Sequence, residues 1–203
     1  MRYLFIPLVF LGFVAFPGNA SAQQVQLQPG DVDVKGIEVE VQKTPIFQAD
    51  SVKDKNIPNP RDWLEVEVEF EIDGPSDAVV PELLFRYYIG FRDQTGAARV
   101  LTGDVTHTNM LAREEYYSAV YVAPSTLGNV TGEFRRFQES AVEAIGVEVI
   151  YNGVLVGGDS TLSGSRAKFW ESTGTQPGIL AKHDTPFALL WIDRYAEAEK
   201  SNN

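Results

Sequence analysis

The sequence predicts an all-β domain, an antiparallel β-sandwich of about seven to ten short strands with minor helix. Apolar residues recur at every second position, and turn-forming clusters of Gly, Pro, Asn and Asp separate the runs. Asn152-Gly153 also stands between two apolar runs. That dipeptide supplies the two positive-φ residues of a type I′ hairpin turn.

The first 22 residues read as an address. Arg2 precedes the uncharged run Leu4 to Phe16, and Ala20-Ser21-Ala22 forms a small-residue cleavage site. This is the layout of a secretory signal peptide, with cleavage expected after Ala22. The apolar run is roughly 13 residues, short of the about 20 needed to cross a bilayer. Residues 23–203 are then expected to form a single domain with no membrane span.

Within that domain, Ile37 to Val41 and Leu64 to Ile72 alternate strictly. In the second run, five apolar side chains share one face, and Glu65, Glu67, Glu69 and Glu71 share the other. The expectation is a half-buried strand whose glutamates face water. Leu83 to Phe91, Ala98 to His107 and Glu115 to Val122 follow as strands. Val142 to Tyr151 and Val154 to Asp159 flank the hairpin turn, and Phe169-Trp170 and Phe187 to Ile192 complete the set. Helical turns are expected at Glu133 to Ala144 and Asp193 to Lys200. The Pro-bearing stretch Lys43 to Asp62 is read as a crossover between sheets, or as a functional loop.

Composition excludes several functions. The 203-residue chain has a net charge of −11, which repels nucleic acid and anionic membrane surfaces. It has no cysteine, hence no disulfide, thiol catalysis or thiolate metal site. Gly158-Asp159-Ser160 resembles the opening of an esterase block. It lies late in the chain, however, and His183 lacks the Asp-x-x-His spacing. Glycosidase carboxylates must stand about 5–10 Å apart in a cleft that raises one pKa, and the Glu65–Glu71 row is expected to lie on an open face instead. Asp31-Val32-Asp33 and Asp50 to Asp54 lack the oxygen density of a calcium loop and read as turn formers. His107 reads as a strand histidine, either at the surface or satisfied in the core. No catalytic residue, metal site or cofactor is expected.

Binding is the better expectation. Tyr87-Tyr88, Tyr116-Tyr117 and Phe169-Trp170 are adjacent aromatic pairs, so in a strand one ring of each points outward. The candidates for partner contact are Tyr87, Tyr117 and Trp170, together with the basic doublet Arg135-Arg136. That doublet is otherwise expected to pair with the acidic faces.

Four segments carry a resemblance: Trp63 to Phe70, Tyr116 to Pro124, Val147 to Gly153, and Thr185 to Tyr195. Together they resemble an exported pilus-like family of Verrucomicrobia of the Akkermansia type, whose genes lie with those of type IV pilus systems. The resemblance covers roughly Gly36 to Tyr195. It implies an immunoglobulin-like sandwich and association with a pilus-like or secretion-like assembly, and it carries no catalytic signature. The chain lacks the basic leader and long apolar helix of a polymerising pilin, which points to an accessory role. The expected function is a non-enzymatic protein, periplasmic, outer-membrane-associated or at the cell surface, that binds an envelope or pilus-assembly protein. Free strand edges would recruit that partner. The alternative is a carbohydrate-binding module, for example for mucin glycans, that uses exposed aromatic rings.

Overall fold

The computed structural model describes residues 25–47 and 58–200. Its strands are β1 (Val32–Lys43), β2 (Asp62–Ile72), β3 (Val79–Arg92), β4 (Ala98–Leu111) and β5 (Glu115–Val122), followed by β6 (Val142–Tyr151), β7 (Val154–Ser160), β8 (Thr175–Pro177) and β9 (Ile179–Ala181). One α-helix, α1 (Pro124–Thr131), lies between β5 and β6. The pairing order is β8-β4-β3-β6-β7-β1-β2-β5-β9. β7 and β1 touch at one parallel pair, Gly157 with Val32. There the two layers part: β9-β5-β2-β1 on one side and β7-β6-β3-β4-β8 on the other. A side chain at Gly157 would meet the Val32 carbonyl at 2.3 Å, so glycine permits this junction.

Alternation fills the space between the layers. Leu64, Val66, Val68, Phe70 and Ile72 of β2 face Leu83, Phe85, Tyr87, Ile89 and Phe91 of β3, all at most 1% exposed. Phe70 and Phe85 meet at 4.6 Å between ring centres. The expected all-β, immunoglobulin-like sandwich is thus the observed fold. The Asn152-Gly153 turn joins β6 to β7 with φ of 49° and 79°, as a type I′ turn requires.

The remaining seam is closed by the end of the chain. β8 extends β4 in parallel and β9 pairs with β5, so residues 175–181 cross from one layer to the other. Further on, Ala196 N–H donates to Tyr117 O (2.9 Å), Thr108 N–H to Glu197 O (2.9 Å) and Glu199 N–H to Thr106 O (2.8 Å). The edges of β4 and β5 are therefore occupied over these stretches, against the expectation of freely available edges. β1 keeps an open edge: among the described residues it pairs on its second side only at Val32.

Several expectations are corrected. Lys43 to Asp62 is not a crossover, because β1 and β2 are antiparallel neighbours from Lys43↔Asp62 to Val32↔Ile72. Residues 48–57 of that connection, with the Asp50 to Asp54 group, lie outside the described residues. Glu133 to Ala144 does hold a helical turn, the 3-10 turn Glu139–Ala141, but the α-helix Pro124–Thr131 was not expected. Pro124 occupies its first turn, and Gly132 ends it with φ 84° and an N–H bond to Gly128 O. Phe169–Glu171 is a 3-10 turn rather than a strand, and Phe187 to Ile192 forms turns. The tail from Asp193 is extended apart from the 3-10 turn Ile192–Arg194.

Candidate functional site

The row of glutamates on β2 does not face open water. Glu65 is 5% exposed, and Glu67, Glu69 and Glu71 are partly covered. The cover over Glu65 and Glu67 is the segment 182–195, which lies across the outer face of β2 and β5. Phe187 stacks on Tyr121 at 4.6 Å and meets Trp63 edge-on at 5.7 Å. Ala119, Tyr121 and Phe187 form a small apolar cluster there, separate from the main core. At the far end of the segment, Arg194 grips both oxygens of Glu67, and the Tyr195 hydroxyl donates to Glu67 at 2.8 Å. The Arg194 guanidinium also lies 4.0 Å above the Tyr117 ring.

Between this strap and the sheet lies a pocket of about 210 Å³. Glu38, Glu40 and Gln42 of β1, Glu65 and Glu67 of β2, and Trp191, Arg194 and Tyr195 of the strap line it. Strand register assembles the floor: Glu38 is directly opposite Glu67, and Glu40 directly opposite Glu65. Like charges facing each other across a strand pair repel. The protein answers this repulsion unevenly. Glu67 has Arg194 and Tyr195, and Glu40 accepts a bond from Gln42 at 2.9 Å. Glu65 has little: its Oε2 is buried without a hydrogen bond, as is the hydroxyl of Tyr121 beside it. The two groups stand side by side, and that hydroxyl acts on the carboxylate as a hydrogen-bonding neighbour, though outside good hydrogen-bond geometry.

The titrations follow from these surroundings. Burial pushes the Glu65 carboxyl above its ordinary range; the Tyr121 hydroxyl opposes the shift, the charges of Glu67 and Glu40 add to it, and the charge of Lys182 takes back a little. Burial acts on Glu67 in the same sense, but the bonds from Arg194 and Tyr195 outweigh it and hold that carboxyl low. Above the pocket, Trp191 is 51% exposed and holds φ 49°, a left-handed conformation that is strained for a bulky residue. Its neighbours Leu189 and Ile192 are 73% and 60% exposed.

The residues singled out from the sequence fall in different places. Tyr87 is not an outward ring: it is fully buried, and its hydroxyl donates to Ser118 Oγ at 2.6 Å. Its neighbour Tyr88 is the outward one. Tyr117 points outward as expected, under Arg194. Trp170 lies flat on Tyr88, with ring centres 4.3 Å apart and planes within 1°. It also borders a groove of about 870 Å³ beside β7, together with Asp33, Asp73, Asp159 and Ser160. Arg135 and Arg136 are exposed and make no ion pair among the described residues, so the expected pairing with the acidic faces is absent. They lie in the loop after α1 and are not among the residues that line the pocket.

His107 is a core residue, 2% exposed. Its Nδ1 faces the carbonyls of Ala196 (3.2 Å) and Glu197 (3.3 Å), which only accept, so Nδ1 carries the proton. Nε2 then accepts from the Ser118 hydroxyl at 2.6 Å. This Ser–His pair lies sealed between the layers, where it ties the tail to β4 and β5. Burial lowers the His107 pKa to about 4. Ser160, of the Gly-Asp-Ser run, accepts a bond from its own neighbour's backbone, Leu162 N–H. Among the described residues no group of acids and histidines is arranged to hold a metal ion.

A family model matches residues 23–202 of the chain. A protein from Akkermansia muciniphila, known from its crystal structure, superposes with a TM-score of 0.74 at 25% identity. The match covers 88% of this chain and 100% of that one. The chain belongs to this Akkermansia-type immunoglobulin-fold family. No curated protein matches it. Among the described residues, no helix of this family member is long and apolar enough to cross a membrane.

The pocket escaped the sequence reading for an identifiable reason. Alternation correctly placed Glu38, Glu40, Glu65 and Glu67 on outer faces, but nothing local said that residues 182–195 would cover them. One signal was available: Trp191-Ile192-Asp193-Arg194-Tyr195 puts aromatic rings and a cation beside one another in an acidic chain.

Proposed function

We propose that the protein is an exported, non-enzymatic binding module that docks another protein of a pilus-like or secretion-like envelope assembly. The observation that carries this reading is the exposed apolar group Leu189, Trp191 and Ile192, held in place by the Arg194–Glu67 clamp and the Phe187 stack. A segment anchored so firmly can bury these side chains, yet it presents them to solvent, as a docking surface does. The family match begins at residue 23, one position after the expected cleavage site, which supports export. The Ser118–His107 pair lies sealed in the core, out of reach of a substrate, which favours binding over catalysis at that pair.

The test is capture from envelope extracts by residues 23–203. Wild type is expected to recover an envelope or pilus-assembly component, and the variant carrying Leu189→Ser, Trp191→Ser and Ile192→Ser to lose it. Recovery of the same proteins by both would overturn the reading.

The groove beside Trp170 favours a second reading, carbohydrate binding, because it sets an aromatic edge among carboxylates and a hydroxyl. Glycan-array binding that Trp170→Ala abolishes would establish it, and an array without signal would remove it.

A further inference from the structure

We propose that the acidic pocket under the strap receives a cationic side chain, lysine or arginine, from the docked protein partner. The proposal rests on the protein-binding reading above and names the chemistry that the partner must bring.

Four carboxylates line one small space, at Glu38, Glu40, Glu65 and Glu67. Register alone pairs them like against like, an arrangement that costs stability until a positive charge enters. The strap supplies one such charge, Arg194, and both its bonds go to Glu67. A second strap cation, Lys182, acts on Glu65 only through its charge and makes no ion pair with it: its Nζ donates to Ala188 O at 3.3 Å and stands 5.1 Å from the Tyr195 ring centre. Glu65, 5% exposed, keeps one buried oxygen with no well-formed hydrogen bond, served only by the Tyr121 hydroxyl beside it and the more distant charge of Lys182. Buried acceptors are rarely left so, because an orphaned one costs the full desolvation of the group. An ammonium or guanidinium entering the pocket would satisfy that oxygen and relieve the Glu40–Glu65 repulsion with one charge.

The walls suit the same guest. Trp191 and Tyr195 contribute aromatic rings to the lining, and a cation beside an aromatic ring and a carboxylate gains from both. The volume, about 210 Å³, admits the end of one long side chain rather than a folded segment. The apolar group Leu189, Trp191 and Ile192 lies at the same strap, so one partner strand or loop could rest on it and insert its basic residue beside it. The protein's strong acidity brings basic partners to this surface faster than neutral ones.

The experiment is an NMR titration of residues 23–203 with pentalysine, pentaarginine and spermidine, alongside the capture assay. A basic peptide is expected to shift the Trp191 indole signal and the amides of residues 38, 40, 65 and 195 in one saturable curve. Glu65→Gln, which keeps the shape and removes the charge, is expected to weaken that binding by about fivefold. Trp191→Gly removes the ring and also relieves the strained backbone, so it keeps the fold and is expected to weaken binding by a similar factor. Glu82→Gln, on the opposite layer, is expected to change it less than about twofold. In the capture assay, Glu65→Gln is expected to lose the partner that wild type retains. Shifts spread over the whole acidic surface, or binding indifferent to Glu65→Gln, would overturn the pocket. Capture of the partner by Glu65→Gln at wild-type level would overturn it too, while leaving the docking reading intact. Binding of spermidine alone, with no response to either peptide, would assign the pocket to a free polyamine and overturn the proposal.

Discussion

On the β1-β2-β5 face the covering segment is clamped largely by charge, with Arg194 on Glu67, Tyr195 beside it and the Phe187 stack behind. On the β3-β6 face it is held by rings: Trp170 lies on Tyr88, and Phe169 meets Trp170 edge-on at 5.1 Å. Ring packing leaves no room beneath it. A side chain at Gly146 would come within 2.1 Å of Trp170. The charged clamp, by contrast, stands off the sheet and encloses a pocket. Contact between flat apolar surfaces gains from excluding every gap. A carboxylate–guanidinium pair instead needs only the two heads to meet, so the stems span open space. The pocket is therefore a consequence of the chemistry that fastens its roof.

Acidification should break this comparison most strongly, because the charged side also depends on His107. The folded His107 has a pKa of about 4, against 6.5 for the free side chain, so the unfolded chain binds the proton first. The contribution is full well above pH 6.5 and is lost as the pH falls from 6.5 to 4. The expected loss is about 2 kcal/mol between pH 7 and 4.5 for this fully buried group. The Glu65 carboxyl, raised by burial, acts in the opposite sense and offsets part of the loss. Denaturant titrations of wild type and His107→Gln across this range isolate the histidine, and hydrogen exchange at residues 195–199 should accelerate before that at β3 and β6.

Trp170→Ala comes next, with an expected loss of about 2–3 kcal/mol in denaturant titrations, unaffected by salt. Arg194→Met is expected to cost about 1–2 kcal/mol, below a fully buried pair because the arginine is 46% exposed. In 1 M salt its gap from wild type should narrow, which the Trp170→Ala gap does not do. Equal salt responses in the two variants would remove the distinction between the faces. The smallest effect is Glu40→Gln, which removes one side of a facing like-charge pair and should raise stability by about 0.5 kcal/mol, read as a higher Tm. The same change should weaken basic-peptide binding, so stability and binding are expected to move in opposite directions at this position.

The sequence was most legible where the decisive interactions are local. The Asn152-Gly153 hairpin and the alternation in β2 were read correctly from a few residues each. The helix at Pro124–Thr131 was missed although its proline start and glycine end are both local signals, because Leu127-Gly128-Asn129 also reads as a turn. Tyr87 and Tyr88 were separable by parity: Tyr87 shares its face with Phe85, Ile89 and Phe91, and Tyr88 shares the other with the charged Arg86, so choosing Tyr87 as the outward ring overlooked a local signal.

By itself, the sequence determined the layers. Period-two patterning sorts side chains into an inner and an outer set, and hydrophobic burial does the rest. It determined the outer placement of the glutamates in the same way. Only the tertiary structure decided what that outer face became. The partner of Glu67 lies more than 120 positions away at Arg194, and no local pattern encodes a contact over that distance. The strap turned a row of charges into a pocket with one buried carboxylate that has no ion pair of its own, because long-range chain closure, not strand propensity, sets which outward residues meet water.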